Sequence, residues 1–444
     1  MADSWEKISL EAITPVDGRY REKLHECSKF FSEKTLIHYR LLIETKYLIA
    51  FLKAIGNHED AAKAAELEKH FTDFSVEDAA EVKKIEEVVG HDVVAAAKFL
   101  EKKLEEHGLL HLKPFIHYGL TSEDVNNIAY ALAISGFLQR VLTPALKNLT
   151  ETLVKLAETH ASTLFLARTH GQPAVPTTFG SFIANYAYRI AYLTRRLKTI
   201  KLQAKIGGAV GDLSALKTTY PEVDWHRFAE KFVENLGFEY NPASTQIIPH
   251  ERTSEILQTT ALAAAVVANL CRDMWLLGML GHVEFEKRAE QFHSSTMPQK
   301  RNPLVFENAE GAADLASHLL TYMATRLMSS RLHRDLSDSV IKRFYGTALA
   351  LCLLAVKNTT QALQAMHINV EAMRKEVETN PQTLAEAVQL TLRKKGIEKA
   401  YRIAEQKPPT DPVIIQTITE KYIQSAMEKT TKLVDKTKNL LAKK

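Results

Sequence analysis

The sequence predicts an all-α, three-part fold built around a central bundle of long helices. Apolar residues recur at steps of three and four over long stretches, which places them along one stripe of a helix. We find no sustained two-residue alternation bounded by hairpin dipeptides, so strands are not predicted. The chain has 444 residues, 45% apolar and 25% charged. This is an ordinary globular composition, but the chain is too long for one core, so two or three packed units are expected.

Helix-breaking residues divide the chain into three predicted parts. Residues 1–110 form an N-terminal domain of shorter helices, residues 111–358 the long-helix bundle, and residues 359–444 a C-terminal helical domain with a basic end. The clearest stripes of the bundle are Leu142, Leu146, Leu149, Leu153 and Leu156, then Ile183, Tyr186, Ile190, Leu193, Leu197 and Ile200, then Val267, Leu270, Met274 and Leu277. Long helices joined by short loops pack nearly parallel. Such helices offer more apolar surface than one chain covers, so we expect an oligomer.

Composition excludes several classes of protein. The formal net charge is +4, from 57 basic and 53 acidic residues, which gives no reason to expect a nucleic-acid or membrane partner. The three cysteines, Cys27, Cys271 and Cys352, form no close motif. A disulfide framework or a cysteine-ligated metal is therefore not expected, and a reducing cytoplasm is predicted.

The apolar segments of the sequence predict neither a secretory signal nor a membrane span. Residues 1–11 carry acidic side chains without an apolar centre, unlike a secretory signal. The longest apolar runs, 261–270 and 348–356, are shorter than the roughly 20 residues that a span requires. They are interpreted as buried helix segments.

Four segments rich in glycine, proline, serine or threonine separate the long helices: 168–176, 207–212, 241–250 and 294–303. The last reads SSTMPQKRNP and concentrates small hydroxyls, a lysine and an asparagine. Pro303 suits the first turn of the following helix. That helix N-terminus, with Lys300 and Asn302 beside it, would attract negative charge. From composition alone, a surface linker is an equally good interpretation.

SSTMPQKRNP resembles the signature loop of the fumarase/aspartase superfamily, GSSxMPxKxNP, with His293 in place of the leading glycine. The resemblance implies removal of a proton from a carbon beside a carboxylate and release of fumarate or a close relative. It assigns Ser294 as the base, acting as an alkoxide supported by Lys300, and Ser295 as a donor to a carboxylate. The reverse assignment of the two serines stays open. Substrate binding is implied for Lys300, Asn302 and Asn308.

The segment 168–176, RTHGQPAVP, contains a single histidine. A histidine in such a loop is more often structural than catalytic. THGQPAxP, however, is similar to the general-acid loop of the superfamily, which makes His170 the proton donor to the leaving nitrogen. An imidazole suits this role because its ordinary pKa is about 6.5.

The segment 117–127, HYGLTSEDVNN, fits a capping box between Thr121 and Asp124, and on that evidence alone it is a helix start. In the superfamily the matching hydroxyls hold a substrate carboxylate, so the resemblance assigns Thr121 and Ser122 to that role.

Further motifs resemble the bacterial branch of the adenylosuccinate lyase family. PVDGRY implies that Arg19 and Tyr20 contact a nucleotide phosphate. RDLSDSVIKR places Ser339 and Arg343 four residues apart, on one helix face, and arginine suits phosphate recognition. A charged surface helix is the simpler interpretation, but the resemblance assigns Arg334, Ser339 and Arg343 to the phosphate.

Two shorter motifs agree with this family. HDV implies that His91 and Asp92 line the substrate site, and TQIIPH implies that Gln246 contacts the succinyl group. The segment 205–212 resembles the KxxGAVG loop of the family. A P-loop is rejected because no strand precedes it and no Lys-Ser/Thr pair ends it.

The resemblance implies elimination of fumarate from adenylosuccinate and from succinylaminoimidazole carboxamide ribotide. The expected partners are therefore small nucleotide substrates and further copies of the chain, in a homotetramer with shared active sites, and no cofactor or metal is expected. Two alternatives remain: another lyase of the superfamily, such as argininosuccinate lyase or fumarase, which would not need the phosphate arginines, or a catalytically silent scaffold.

Overall fold

The structure is a computed structural model and describes residues 10–285, 297 and 299–442. Helices dominate it, which confirms the predicted fold class. The helices up to residue 159 are α1 (Arg21–Leu24), α2 (Ser28–Phe31), α3 (Glu33–Ala54), α4 (His58–His70), α5 (Val76–Val89), α6 (Asp92–Glu106), α7 (Ser122–Phe137) and α8 (Thr143–Thr159). A π-helical turn, Leu138–Leu142, joins α7 to α8.

The later helices include the longest ones. They are α9 (Phe179–Thr199), α10 (Ser214–Thr219), α11 (Trp225–Asn235), α12 (Glu251–Met279), α13 (Leu304–Arg326), α14 (Ser337–Arg343), α15 (Tyr345–Ala365), α16 (Val370–Glu378), α17 (Ala385–Lys394), α18 (Ala400–Gln406) and α19 (Pro412–Ala442). Short 3₁₀ turns occur at His25–Cys27, Phe71–Asp73, Leu110–Phe115 and Pro381–Leu384.

Six short strands form three two-stranded sheets within the described residues. They are β1 (Leu164–Thr169) with β2 (Gln172–Thr178), antiparallel; β3 (Gln203–Ala204) with β4 (Glu239–Tyr240), parallel; and β5 (Val283–Phe285) with β6 (Met366–Ile368), antiparallel. The β1–β2 hairpin occupies a segment that the sequence predicts as a loop. Its two-residue turn is His-Gly, outside the common hairpin dipeptides.

The chain forms two compact units, each assembled from three separate segments. The first unit contains Met1–Leu142, Leu197–Ala261 and His318–Ala350, and the second contains Thr143–Arg196, Leu262–Ser317 and Leu351–Lys444. Because these bounds come from contacts and not from function, the predicted division at residues 110 and 358 stays a prediction.

Each unit has its own apolar core. In the first unit, α3, α4, α5 and α6 pack around Leu41, Leu48, Leu52, Phe99 and Leu100. In the second, most residues of the predicted stripes on α8, α9 and α12 are buried, and Leu149, Leu153, Ile190, Leu270 and Met274 are fully covered. The last residues of two stripes, Leu156 and Ile200, are half-buried. The steps of three and four therefore identified the core face of these helices.

Three helical stretches are long and apolar enough, by length and composition, to cross a membrane: Ser122–Thr159, Glu251–Met279 and Ser337–Ala365. The unbroken apolar runs within these helices are shorter, because polar residues interrupt them. Half or more of each apolar window is buried inside the protein, as expected for helices that build a core. The three cysteines are buried free thiols.

Candidate active site

The carboxylate of Asp124 joins three motif segments in the first unit. It accepts hydrogen bonds from the main-chain N–H groups of Thr121 and Gly207. It also forms a fully buried ion pair with Lys205, whose Nζ lies 2.7 Å from Oδ1. The same ammonium group donates to the main-chain oxygen of Gln246. The predicted capping box is present, and its acidic member also holds the glycine-rich segment and the glutamine segment.

The glycine-rich segment 207–212 packs directly against the backbone that precedes Gln246. Gly211 has φ +97°, and a Cβ there would collide with the main-chain oxygen of Ser244. The Gln246 side chain donates from Nε2 to the oxygen of Ala209, at 2.9 Å. The glycines of this segment thus serve close backbone packing, and the contact fixes the amide of Gln246.

A second, buried cluster surrounds Glu123, the residue that follows Ser122. Its carboxylate pairs with Lys342 and with Arg334, whose NH1 lies 2.8 Å away. Asp338 contacts Lys342 at 2.7 Å. Burial alone would raise the pKa of Glu123, but Lys342 and Arg334 lower it to about 2. Two cations and two carboxylates therefore balance, and the cluster ties the start of α7 to α14.

His250 is almost fully buried near this cluster. Burial and the charge of Lys342 lower its pKa to about 4. The imidazole is therefore neutral at neutral pH, which avoids adding a third positive charge to a balanced buried set.

A third cluster surrounds Asp92 and is partly open to solvent. Oδ2 of Asp92 lies 2.6 Å from NH2 of Arg40 and 2.9 Å from NH2 of Arg343. Burial raises the pKa of Asp92, but these guanidinium groups outweigh it and hold the pKa below its usual range. Arg343 also contacts Glu33 at 3.1 Å, and Lys83 lies 3.8 Å from that carboxylate. Lys83 also pairs with Glu86 at 2.7 Å, so three cations face three carboxylates, and the partly exposed Arg343 is the cation of this cluster that is open to an anion.

His91 links this region to Ser122. The Nδ1 atom of His91 accepts from the main-chain N–H of Val93, at 3.2 Å. A neutral imidazole then carries its proton on Nε2, which lies 3.4 Å from Oγ of Ser122. Both residues stand at helix N-termini, where the backbone favours negative ligands.

Seven of the predicted residues lie in these three clusters of the first unit or in the contact between His91 and Ser122: His91, Asp92, Thr121, Ser122, Gln246, Arg334 and Arg343. Ser339 and Arg343 lie on α14, as predicted, and Ser339 is half-buried. Arg19 is exposed and Tyr20 half-buried in the turn that precedes α1. Their contact with a phosphate stays a prediction.

Four other predicted residues lie in the second unit. His170 is exposed in the two-residue turn between β1 and β2, with φ +54°. Lys300 and Asn302 line a cavity of 1040 Å³ together with Trp275, Glu307 and His367. The fourth, Asn308, lies on α13, where its Oδ1 accepts from Nδ2 of Asn358 at 2.6 Å.

The remaining signature residues, His293, Ser294 and Ser295, lie outside the described residues. Their assignments are unchanged by the structure. Pro303 stands immediately before α13, and its main-chain oxygen accepts from the N–H of Glu307, so the predicted helix start is correct to within one residue. No group of three or more metal-ligating side chains occurs among the residues that the structure describes.

Sequence reasoning missed the residues that hold these clusters together. Glu123 and Lys342 lie inside the quoted motifs but were not singled out. The spacing of Asp338 and Lys342, four residues on one helix, is a usable signal for an ion pair. Arg40 is 1% exposed within the apolar helix α3, and a cation in such a helix signals a buried partner.

Comparison with known proteins identifies the family. Residues 18–315 match the lyase family, and residues 330–443 match the adenylosuccinate lyase C-terminal family. The adenylosuccinate lyase of Escherichia coli (strain K12) is 38% identical over 401 residues, which cover 89% of this chain and 88% of that protein. The chain belongs to the adenylosuccinate lyase family. This confirms the resemblance stated from the motifs, within the fumarase/aspartase superfamily.

A second member of the adenylosuccinate lyase family matches over nearly its whole length. The adenylosuccinate lyase of Haemophilus influenzae is 35% identical over 452 residues, covering 96% of this chain and 99% of that protein.

Among solved structures, a 3-carboxy-cis,cis-muconate lactonizing enzyme from Pseudomonas putida has a TM-score of 0.78 at 22% identity, covering 96% of this chain and 100% of that one. A fumarate lyase from Mesorhizobium has a TM-score of 0.72 at 20% identity, covering 95% and 98%. At these identities the structures show a shared fold.

Proposed function

We propose that this chain is an adenylosuccinate lyase, which eliminates fumarate from adenylosuccinate to give AMP. The observation that carries the proposal is 38% identity to the Escherichia coli adenylosuccinate lyase across 89% of the chain. We extend the proposal to succinylaminoimidazole carboxamide ribotide, which also joins a succinyl nitrogen to a phosphorylated ribose. A site that grips the phosphate and succinyl ends can accept either base between them.

The proposed chemistry is a β-elimination. Ser294, as an alkoxide, removes a proton from the carbon beside a succinyl carboxylate. The electron pair forms the double bond of fumarate as the carbon–nitrogen bond breaks, and His170 gives a proton to the leaving nitrogen. Lys300, Asn302 and the N-terminus of α13 stabilise the charge on the carboxylate side. If Ser295→Ala abolished turnover while Ser294→Ala did not, the base would be Ser295.

Recognition of the nucleotide is assigned to the first unit. Arg343 belongs to the cluster around Asp92, and its partly exposed guanidinium group suits a phosphate. Arg19, Tyr20, Arg334 and Ser339 complete the proposed phosphate set. Thr121 and Ser122, at the N-terminus of α7, are proposed to hold a substrate carboxylate. The half-buried Gln246 is proposed to contact the succinyl group.

We also propose that the active enzyme is a cytoplasmic homotetramer whose active sites combine residues from several subunits. Large apolar side chains are exposed on α12 and α13, including Leu262, Trp275, Met279 and Leu315. Apolar patches of this kind support an interface between subunits.

The deciding experiment mixes purified protein with adenylosuccinate and follows fumarate and AMP by chromatography, with argininosuccinate as the matched alternative substrate. We expect stoichiometric fumarate and AMP from the nucleotide and no turnover of argininosuccinate. Turnover of argininosuccinate alone would assign another lyase activity. A folded protein that turns over neither substrate would support a silent scaffold.

A further inference from the structure

The turn that carries His170 has an unusual backbone. Strands β1 and β2 end at the facing pair Thr169 and Gln172. The two residues between them, His170 and Gly171, have φ of +54° and +75°. Glycine adopts positive φ freely, but a histidine does so at a cost in free energy. Neighbouring groups must therefore hold His170 in this conformation.

The side chain of Arg168 forms a hydrogen bond to this turn. Its NH1 donates to the main-chain oxygen of Gly171, at 3.1 Å. Its NH2 forms an ion pair with Glu376 on α16. One guanidinium group thus bridges the turn to a separate helix of the same unit. The strand pairing is irregular between Leu166 and Arg168, where a bulge can redirect a side chain.

Glu376 is backed in turn by His282, which directly precedes β5. Oε2 of Glu376 lies 3.1 Å from Nε2 of His282. His282 is 2% exposed, and burial lowers its pKa. Its main-chain oxygen accepts from the N–H of Asn369, at the start of α16. The three side chains therefore form a continuous row from the hairpin turn to the strand that leads into the signature segment.

Among the described residues, several buried polar atoms of this row lack the hydrogen bonds that a purely structural element usually provides. Within the part of the chain that the structure describes, Nε of Arg168 and Nδ1 of His282 are buried without a hydrogen-bond partner, and Oε2 of Glu376 has only the ion-pair contact with His282. Buried polar atoms of this kind cost free energy, and they concentrate where function demands a particular geometry.

We propose that Arg168, supported by Glu376 and His282, is a positioning residue that orients the general acid His170. The proposal rests on the proposed lyase function. Arg168 need not touch substrate. It fixes the peptide unit of Gly171 and thereby the direction from which the imidazole approaches the leaving nitrogen. Proton transfer is sensitive to such direction, whereas ground-state binding through the phosphate and carboxylates is not.

The primary test measures kcat and KM for adenylosuccinate in Arg168→Gln. We expect kcat to fall about 10- to 100-fold with KM changed by less than about twofold, because only a transition-state contact is lost. Arg168→Lys retains the ion pair with Glu376 but lacks the planar fork that reaches Gly171. Its kcat should lie between those of Arg168→Gln and the wild type.

Helix α16 offers a matched pair of controls. Glu376→Gln removes the support of Arg168 and should lower kcat in the same way. Glu378 lies on the same helix and pairs with Arg374 at the surface, so Glu378→Gln should retain wild-type kcat and KM. Thermal unfolding and oligomer mass of all variants are recorded alongside.

The outcomes separate the two proposals. A wild-type protein without lyase activity would overturn the proposed function itself. An active wild type with an unchanged kcat in both Arg168→Gln and Glu376→Gln would overturn the positioning role. A parallel rise of KM, loss of kcat and fall of Tm would show general damage and would also overturn it. If Arg168→Gln does not fold, Glu376→Gln decides the question against Glu378→Gln.

Discussion

His170 combines an exposed imidazole with a backbone conformation that few side chains adopt. The substitution His170→Asn separates these two properties, because asparagine followed by glycine is the favoured sequence for a turn with two positive φ values. We expect the fold and Tm to be retained while kcat falls about 10²- to 10⁴-fold, the range for loss of a general acid. Steady-state kinetics and circular dichroism provide the measurement. Activity close to that of the wild type would remove His170 from the chemistry.

Arg343 has the charge and exposure expected of a phosphate ligand. We expect Arg343→Ala to raise KM for adenylosuccinate about 10- to 100-fold, typical of a lost charge-assisted contact, with a smaller effect on kcat. Arg331→Ala, which removes an exposed arginine of the same unit, is the control and should leave both constants unchanged. An unaltered KM in Arg343→Ala would contradict the phosphate role.

At the level of elements, the pair Glu123–Lys342 fastens α7 to α14. Lys342→Met would leave Glu123 buried opposite a single cation, so we expect a loss of about 3–5 kcal/mol in the free energy of unfolding. Urea denaturation measures it. Replacing both partners together, as Glu123→Leu with Lys342→Met, should restore part of the loss. Equal stability of Lys342→Met and the wild type would show that the pair does not fasten the helices.

The buried His250, which directly precedes α12, gives this region a defined pH response. Its folded pKa of about 4 lies below the ordinary value of about 6.5, so the unfolded state binds a proton that the folded state refuses. The contribution of His250 to the free energy of unfolding is complete above about pH 6.5 and falls by up to about 3 kcal/mol as the pH drops to 4. We expect His250→Gln to show a shallower loss of stability across this window, measured as Tm against pH. His58→Gln, at an exposed histidine, should follow the wild type.

The elements differ in how far the sequence could predict them. Helices such as α8 and α9 were predictable because their apolar residues recur with the 3.6-residue period of a helix, and this spacing is visible within each helix sequence. The β1–β2 hairpin was not, because its turn, His170-Gly171, is not one of the common hairpin dipeptides. The site motifs were found, but their buried counterions were not. Lys342 and Glu123 are 219 residues apart, and no local pattern connects them.

For the whole molecule, the exposed apolar faces of α12 and α13 predict association. We expect light scattering after size exclusion to give about 200 kDa, four times the 49.9 kDa chain. Leu315→Glu places a charge in the proposed interface and should reduce the mass and the activity together. Val88→Glu changes an exposed apolar residue of α5 and should leave both unchanged. A wild type of single-chain mass with full activity would contradict the shared sites.

The discontinuity of the first unit has a consequence for synthesis on the ribosome. Its three segments extend to Ala350, so it cannot be completed until that residue has been translated. At roughly 5–20 residues per second, Glu123 waits roughly 10–45 s for Lys342 to be translated. During that interval, Glu123 lacks the ammonium group of Lys342, and the apolar core of the first unit is not yet covered. The nascent chain is therefore a substrate for a chaperone that binds apolar segments.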